Sequence, residues 1–238
     1  MSMTLYKLGR LLLALILKVH NLVVFFIDDA SKAKEFSLGF VQTISMNACE
    51  HVTSIAEGSK VLGSTTTSVQ QFNSKDSRAM GTVSLGGHVC GFQSYQSHLY
   101  VALETYGQGD KVSVFDEGFL AKRHWTLEGK VCDLAVNNEK VYLAGTVGKL
   151  YVYTIHGIYL YEITEWFGTR IASHPLPGVI LLTNQEGDEV MAINGETKKH
   201  LWTSFADKPW GVAVDDYEDI WVWSEFQQSV VIFDAEGA

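Results

Sequence analysis

The chain has 238 residues, 47% of them hydrophobic, with 18 basic and 27 acidic side chains and a formal net charge of −9. This length and apolar content suffice for the core of one all-β domain, and the 21 glycines, 12 Phe, 10 Tyr and 6 Trp favour short strands joined by tight turns. The acidic excess repels nucleic-acid phosphates, which weighs against nucleic-acid binding unless the basic residues are segregated on one face.

The first element is an apolar segment at residues 11–17, which follows Lys7 and Arg10 and superficially has the pattern of a secretory leader. Lys18 ends this run well short of the roughly 20 apolar residues that a membrane helix needs. The segment aligns instead with the second strands of later repeats, and residues 22–27 align with the third strands. We therefore expect the N-terminus to build a first blade, and we expect no membrane partner.

Two columns of residues recur along the chain and define a repeat. In the first column an apolar residue precedes a short polar one: Ile27-Asp28, Phe72-Asn73, Phe115-Asp116, Ile155-His156, Ile193-Asn194 and Phe233-Asp234. Their mean spacing is about 41 residues, which is typical of blade-like repeats. In the second column an apolar residue precedes a hydroxyl: Phe36-Ser37, Val83-Ser84, Trp125-Thr126, Ile163-Thr164 and Trp202-Thr203. Turn-forming residues between the columns indicate hairpins, so each repeat is predicted to be a four-stranded antiparallel unit.

Such a unit cannot bury both of its faces alone, so the copies must stack around an axis. The sequence therefore predicts an all-β, six-bladed β-propeller that forms a single domain over residues 1–238. The blades are expected at approximately 1–40, 41–87, 88–128, 129–168, 169–208 and 209–238. The last blade lacks its outer strand, and residues 3–8 either begin the first blade or complete the last one. We expect either a fragment of a longer protein or a ring that its N-terminus closes.

The last repeat resembles a known family. Residues 209–223 read Pro-Trp-Gly-Val-Ala-Val-Asp-Asp-Tyr-Glu-Asp-Ile-Trp-Val-Trp, and residues 229–237 read Ser-Val-Val-Ile-Phe-Asp-Ala-Glu-Gly. This pattern resembles the NHL repeat through Gly211, Val212, Ala213, Val214, Asp215, Ile220, Trp221, Val222 and Phe233. The resemblance implies a propeller of the kind found at the C-terminus of tripartite-motif (TRIM-NHL) proteins, where it binds substrates or RNA. The family often places an Asp and an Asn-x-Arg where residues 224–229 read Ser-Glu-Phe-Gln-Gln-Ser, so a specific partner is not implied.

The three cysteines indicate neither disulfide bonds nor a metal site. Cys49, Cys90 and Cys132 are too few for a disulfide framework, and each begins the first strand of its blade. We expect them to be reduced and metal-free, because only half of the blades supply this column. Reduced thiols favour a cytoplasmic protein.

No catalytic motif is present, so the sequence predicts a non-enzyme without cofactors. An extracellular lactonase-like propeller enzyme remains an alternative.

Aromatic and acidic residues gather in the loops between second and third strands and between blades. Acid-rimmed aromatics are typical of a surface that binds a basic or aromatic protein segment. The predicted partner-binding residues are Glu104, Tyr106, Trp166, Asn184, Glu186, Trp210, Glu225 and Phe226. The alternative interpretation is that the aromatics only cap the packing between blades. The chain is thus interpreted as a non-enzymatic interaction module, with substrate recognition for a TRIM-type ubiquitin ligase as the specific hypothesis.

RNA binding is the alternative function that the basic residues suggest. The alternative RNA face consists of Lys122, Arg123, Lys198 and Lys199, all in or just after hairpins between third and fourth strands. The same hairpins hold Asp116, Glu117 and Glu196, so this face carries both signs of charge and a solvated surface explains it equally well. The sequence therefore weighs against a nucleic-acid partner.

Overall fold

Short β-strands make up the fold throughout the part of the chain that the computed structural model describes. These residues are 11–16, 21–27, 40–45, 51–55, 60–73, 78–146, 148–165, 168–214, 218–224, 226–227 and 229–238. The first sheet contains β1 (Leu11–Ile16), β2 (Asn21–Ile27) and β3 (Phe40–Ser45). No helix in the described part of the chain has the length and apolar character needed to span a membrane.

Five antiparallel sheets follow, here numbered blades I to V. Blade I contains β4 (His51–Ile55), β5 (Lys60–Ser64), β6 (Ser68–Asn73) and β7 (Ala79–Ser84). Blade II contains β8 (His88–Tyr95), β9 (His98–Glu104), β10 (Lys111–Asp116) and β11 (Ala121–Thr126). Blade III contains β12 (Val131–Asn137), β13 (Lys140–Gly145), β14 (Leu150–Thr154) and β15 (Tyr159–Ile163). Blade IV contains β16 (Arg170–Ser173), β17 (Val179–Asn184), β18 (Glu189–Asn194) and β19 (Lys199–Phe205). Blade V contains β20 (Pro209–Val214), β21 (Ile220–Ser224) and β22 (Ser229–Phe233).

The first strands of blades I to V contact one another in series, in the order β4, β8, β12, β16 and β20. This stacking is that of a β-propeller, and it corrects the predicted number of blades from six to five. The sheet β1–β3 pairs within itself, but among the described strands it makes no comparably extensive contact with the other sheets. The repeat pattern predicted strands in residues 11–45, and β1, β2 and β3 lie there. Such a pattern does not show whether the sheet that the strands form stacks on its neighbours.

The hydrophobic core lies between adjacent blades rather than within one of them. One cluster joins Ala102 and Val114 of blade II to Leu134 and Val141 of blade III, all at most 2% exposed. The middle strands β9 and β13 are therefore buried along nearly their whole length, whereas the outer strand β11 alternates between exposed and half-buried residues. Stacking on both sides of each sheet explains the near-continuous apolar sequence of the middle strands.

The short polar residue of the first sequence column closes the turn between the third and fourth strands. Asp116 Oδ1 accepts hydrogen bonds from the backbone N–H groups of Gly118 (3.0 Å) and Leu120 (2.9 Å). Asn194 makes the same kind of turn in blade IV, and Asp234 makes it after β22, the third strand of blade V. In blade III the turn is capped by Thr154 and not by the predicted His156, so the column was wrong by two residues there. A threonine hydroxyl accepts the same backbone bonds as a carboxylate, which the column did not anticipate.

The propeller has two faces that differ in the turns they present. The hairpin face carries the turns between first and second and between third and fourth strands. The loop face carries the turns between second and third strands and the connections between blades. At the hairpin end of the inner strands, Gln93 Nε2 donates to Ser173 Oγ (2.8 Å), and at the loop end Asp133 Oδ2 accepts from Ile171 N (3.2 Å). The inner strands β8, β12 and β16 therefore run in the same direction.

Candidate partner-binding face

Six of the predicted partner-binding residues belong to described parts of the chain, and all six lie on or beside the loop face. They belong to three blades: Glu104 and Tyr106 to blade II, Asn184 and Glu186 to blade IV, Trp210 and Phe226 to blade V. Trp166 and Glu225 lie outside the described residues, as do Cys49 and residues 3–8. The residues therefore share one face, distributed over separate blades.

Tyr106 lies at the tip of the turn between β9 and β10 and is 89% exposed. The turn is fixed from below, since Thr105 Oγ1 donates to Gly109 O and Gln108 N donates to Thr105 O (3.3 Å). Asp110 anchors its far end, because its Oδ2 accepts from Val131 N (2.9 Å) at the start of the next blade. A rigid base thus holds a large aromatic side chain in solvent.

Phe226 occupies the corresponding turn of blade V, between β21 and β22, and is 76% exposed. Ser224 fixes this turn: its Oγ accepts from Gln227 N (3.1 Å) and donates to Asp207 O (2.6 Å) in the connection that enters the blade. The exposure of Tyr106 and Phe226 disagrees with the alternative that these aromatics cap packing between blades.

The turn of blade IV contains two polar residues that shape it and one exposed acid. Asn184 Oδ1 accepts from Gly187 N (3.2 Å), so this side chain shapes the turn. Asp188 accepts from Lys208 N (3.0 Å) and pairs with the Lys208 ammonium (3.2 Å), and the backbone bond is the main cause of the lowered pKa of Asp188. Glu186 is exposed and takes part in no ion pair among the described residues. Glu186 is therefore free to meet a partner.

Glu104 is not a free acid. Its Oε1 lies 3.0 Å from Lys130 Nζ, and the hydrogen bond with Glu104 raises the pKa of Lys130. Lys130 is 69% exposed, so water screens the pair and a partner is able to exchange with it. The local negative charge beside Tyr106 is smaller than the sequence alone indicated.

Trp210 lies at a bulge in the inner strand β20. The register of β20 on β21 skips this residue, as the registers of β8 and β12 skip Cys90 and Cys132. The guanidinium carbon of Arg170 lies 4.9 Å from the centre of the Trp210 ring, and Arg170 Nη1 donates to Cys132 O (3.0 Å). The sequence pattern did not indicate Arg170, which is the first residue of the inner strand β16, one blade before Trp210.

The two described cysteines are free thiols within these bulges. Burial raises the pKa of Cys90 to about 12 and also raises the pKa of Cys132. Both are therefore protonated at neutral pH and are poor nucleophiles and poor metal ligands. Within the described residues no group of three or more His, Cys, Asp or Glu side chains is placed to hold a metal ion. The expectation that Cys49, Cys90 and Cys132 bind no metal stays a prediction.

The basic residues of the alternative RNA face are mostly engaged within the protein. Lys122 pairs with Asp116 at 2.7 Å, and Arg123 Nη2 donates to the hydroxyl of the buried Tyr100 (3.1 Å). Both basic residues lie in the outer strand β11. They are partly neutralised or held inward, which lowers the charge available to phosphates.

The second pair of basic residues lies at the start of the outer strand β19 of blade IV. Lys198 Nζ lies 4.8 Å from the centre of the Tyr161 ring and donates to Glu162 O (3.2 Å). Lys199, the first residue of β19, is exposed. This leaves one of the four basic residues without an interaction among the described residues.

Comparisons with known proteins support the fold and nothing finer. No family model matches the chain, and no curated protein matches it by sequence. Its structure is similar to that of Kluyvelomyces marxianus Hsv2, a β-propeller, with a TM-score of 0.60 and 10% identity over 95% of this chain and 73% of that one. Similarity at this identity shows a shared fold. The chain is an all-β β-propeller, and its resemblance to NHL repeats remains a prediction.

Proposed function

We propose that this propeller is a non-enzymatic cytoplasmic interaction module that holds a protein partner on its loop face, in the manner of a TRIM-NHL substrate-recognition domain. The observation that carries the proposal is the presentation of Tyr106 and Phe226, which are 89% and 76% exposed at the tips of braced turns. Large exposed aromatics are characteristic of binding hot spots, since they bury much area with few rotatable bonds.

The bracing of the two turns supports binding rather than incidental exposure. Thr105 and Ser224 fix the turn backbones through side-chain hydrogen bonds, so little loop entropy remains to be lost when a partner docks. The exposed Glu186 and the net charge of −9 favour a basic partner segment.

The interactions of the basic residues favour a protein partner over RNA. Lys122, Arg123 and Lys198 each have a partner within the protein, and phosphate binding would have to break these contacts. The pKa values of Cys90 and Cys132 are raised, which argues against a nucleophilic enzyme that uses either thiol.

The test is selection of a random peptide library on the immobilised wild-type chain, followed by affinity measurements with the selected peptides. We expect peptides rich in Lys, Arg and aromatic residues. Tyr106→Ala and Phe226→Ala should each weaken their binding by about 1 kcal/mol or more, which is about fivefold. The unfolding midpoint should not change, because both side chains are exposed.

Matched controls are available on the hairpin face, where Leu120 and Ile158 are 63% and 64% exposed. Leu120→Ala and Ile158→Ala should leave the affinity within about twofold. Equal losses in the controls would show that the peptides bind exposed apolar surface in general. If binding is lost only when Lys122, Arg123, Lys198 and Lys199 are changed to Glu, the face is wrong and the RNA alternative takes its place.

A further inference from the structure

The third strand of blade V, β22, lies at the outer edge of its sheet. In blades I to IV a fourth strand pairs with the outer side of the third strand. Among the described strands none pairs with the outer side of β22. The backbone N–H and C=O groups on that side are therefore open to the addition of another strand.

The apolar side chains of blade V become exposed at this edge. Trp221 in the middle strand β21 is 3% exposed, but Ile232, which lies opposite it in β22, is 38% exposed. Val114, the corresponding residue of the third strand in blade II, is 0% exposed. The sequence of β22, Ser-Val-Val-Ile-Phe, contains no charge that would discourage pairing. An uncharged apolar edge of this kind is a template for a strand from another chain.

The residue after β22 indicates a charge in the added strand. In blade II, Asp116 Oδ1 closes the turn after the third strand, and Oδ2 pairs at 2.7 Å with Lys122, the second residue of the fourth strand. Asp234 closes the same turn after β22, since its Oδ1 accepts from Glu236 N (3.1 Å) and Ala238 N (2.9 Å). Among the described residues no cation forms an ion pair with Asp234. A strand with Lys at its second position would complete this pair.

The fourth strands of the other blades show which side chains fit beside a third strand. In blade III the third and fifth residues of the fourth strand, Tyr161 and Ile163, lie opposite apolar residues of the third strand. In blade II the fifth residue, Trp125, lies opposite a valine. The same two positions of a strand added to blade V would lie opposite Ile232 and Val230. Apolar or aromatic residues at the third and fifth positions would therefore cover the exposed side chains of β22.

We infer that the outer edge of β22 binds an extended strand of another protein, with Lys at its second position and apolar side chains at its third and fifth positions. Backbone hydrogen bonds give the affinity of such a complex, and the side chains give its specificity. A second copy of this chain does not match, because β22 has no cation to meet Asp234. Residues 3–8 do not match either, because Lys7 is the fifth residue of that segment. The site is separate from the turns of the loop face and does not depend on the function proposed for them.

The test uses the capped hexapeptide acetyl-Ala-Lys-Tyr-Thr-Ile-Thr-amide as the probe, titrated into the full chain and followed by ¹H–¹⁵N NMR. We expect saturable binding with a dissociation constant of ~0.1–1 mM and shifts at residues 229–234.

Two N-methylated forms of the probe test for strand pairing. One is methylated at Ala, Tyr and Ile, and the other at Lys and both Thr residues. Successive N–H groups of a strand point to opposite sides, so one form should lose binding while the other binds within about threefold of the parent peptide. An equal effect of the two forms would overturn the inference.

Two variants of the chain test the side-chain contacts. Changing the lysine of the probe to Glu should weaken binding to the wild type at least about threefold, and this preference should disappear in Asp234→Asn. The turn should survive in that variant, because Asn194 closes the same turn in blade IV. Ile232→Lys should weaken binding at least about fivefold. The matched control is Leu160→Lys, at a side chain of the outer strand β15 that is also 38% exposed, and it should bind like the wild type.

The inference is overturned if the probe does not bind, if Ile232→Lys binds it normally, or if Asp234→Asn retains the preference for Lys. It is also overturned if the wild type self-associates and Ile232→Lys disperses it, since a second copy then occupies the edge. Binding of the probe only after removal of residues 1–10 would assign the edge to the N-terminus and overturn it as well. Tyr106→Ala should leave the titration unchanged, so this result and that of the loop-face test are separable.

Discussion

Asp133 provides the sharpest stability prediction because it is a buried carboxyl that joins two blades. Its Oδ1 accepts from Leu134 N (2.8 Å), and its Oδ2 accepts from Ile171 N (3.2 Å) in blade IV. Burial raises its pKa from 3.8 to about 6, with the charge of Arg170 opposing the shift. Gly91 leaves room for the Asp133 carboxyl, because a Cβ at residue 91 would lie 2.0 Å from Asp133 Oδ1.

The direction and size of the pH dependence of stability follow from the difference between the pKa values of Asp133 in the folded and unfolded states. A pKa that is higher in the folded state gives stability that is fully present below the unfolded value of 3.8 and is lost as the pH rises through about 6. A shift of this size corresponds to about 3 kcal/mol in total, of which about 2 kcal/mol is lost between pH 4 and pH 7. Asp133→Asn removes this titration. The free energy of unfolding of the wild type, relative to that of the variant, should therefore fall by about 2 kcal/mol over this range.

The assay is urea unfolding followed by tryptophan fluorescence at several pH values for both proteins. Only the slope of the difference is diagnostic, since the asparagine cannot accept both backbone bonds and adds a penalty that does not depend on pH. Asp116→Asn is the control with the opposite sign, because hydrogen bonding with Lys122 lowers the pKa of Asp116. A difference between wild type and Asp133→Asn that is flat, or that rises with pH, would refute the reasoning.

Three further substitutions test how neighbouring blades are joined, each measured by chemical unfolding. Gly157→Ala should cost about 2 kcal/mol, because φ is +87° and the new Cβ would lie 2.7 Å from the Trp125 ring of the preceding blade. Asn137→Ala should cost about 3 kcal/mol, since Nδ2 shares its two hydrogens among three carbonyls of the first hairpin of blade IV and Oδ1 accepts from Gly178 N. Trp202→Phe should cost about 1 kcal/mol through loss of the 3.1 Å bond from Nε1 to Ala235 O. A loss below about 0.3 kcal/mol in any of the three would contradict the corresponding contact.

The sequence was most informative for residues whose structural role depends only on their neighbours in the chain. The short polar residue after the third strand is visible as a column because Asp116, Asn194 and Asp234 each close a turn within a few residues. Apolar runs such as β13 and β17 are recognisable because stacking on both sides demands them. These local demands were enough to predict the propeller fold and antiparallel blades.

Features that depend on contacts between blades were not predictable from the pattern. The number of blades depends on which sheets stack, and sequence spacing in residues 11–45 does not reveal that. The role of Asp133 depends on Ile171, 38 residues later, and on the absence of a side chain at Gly91.

The most direct test of the central claim is an amide hydrogen-exchange footprint of the chain, with and without a peptide selected on it. Binding on the loop face should protect residues 105–110 in the turn of Tyr106 and the amides of Phe226 and Gln227 in the turn of blade V. The hairpin-face turns at 117–120 and 155–158 should exchange at unchanged rates. Protection confined to those hairpin turns would contradict the proposed binding face.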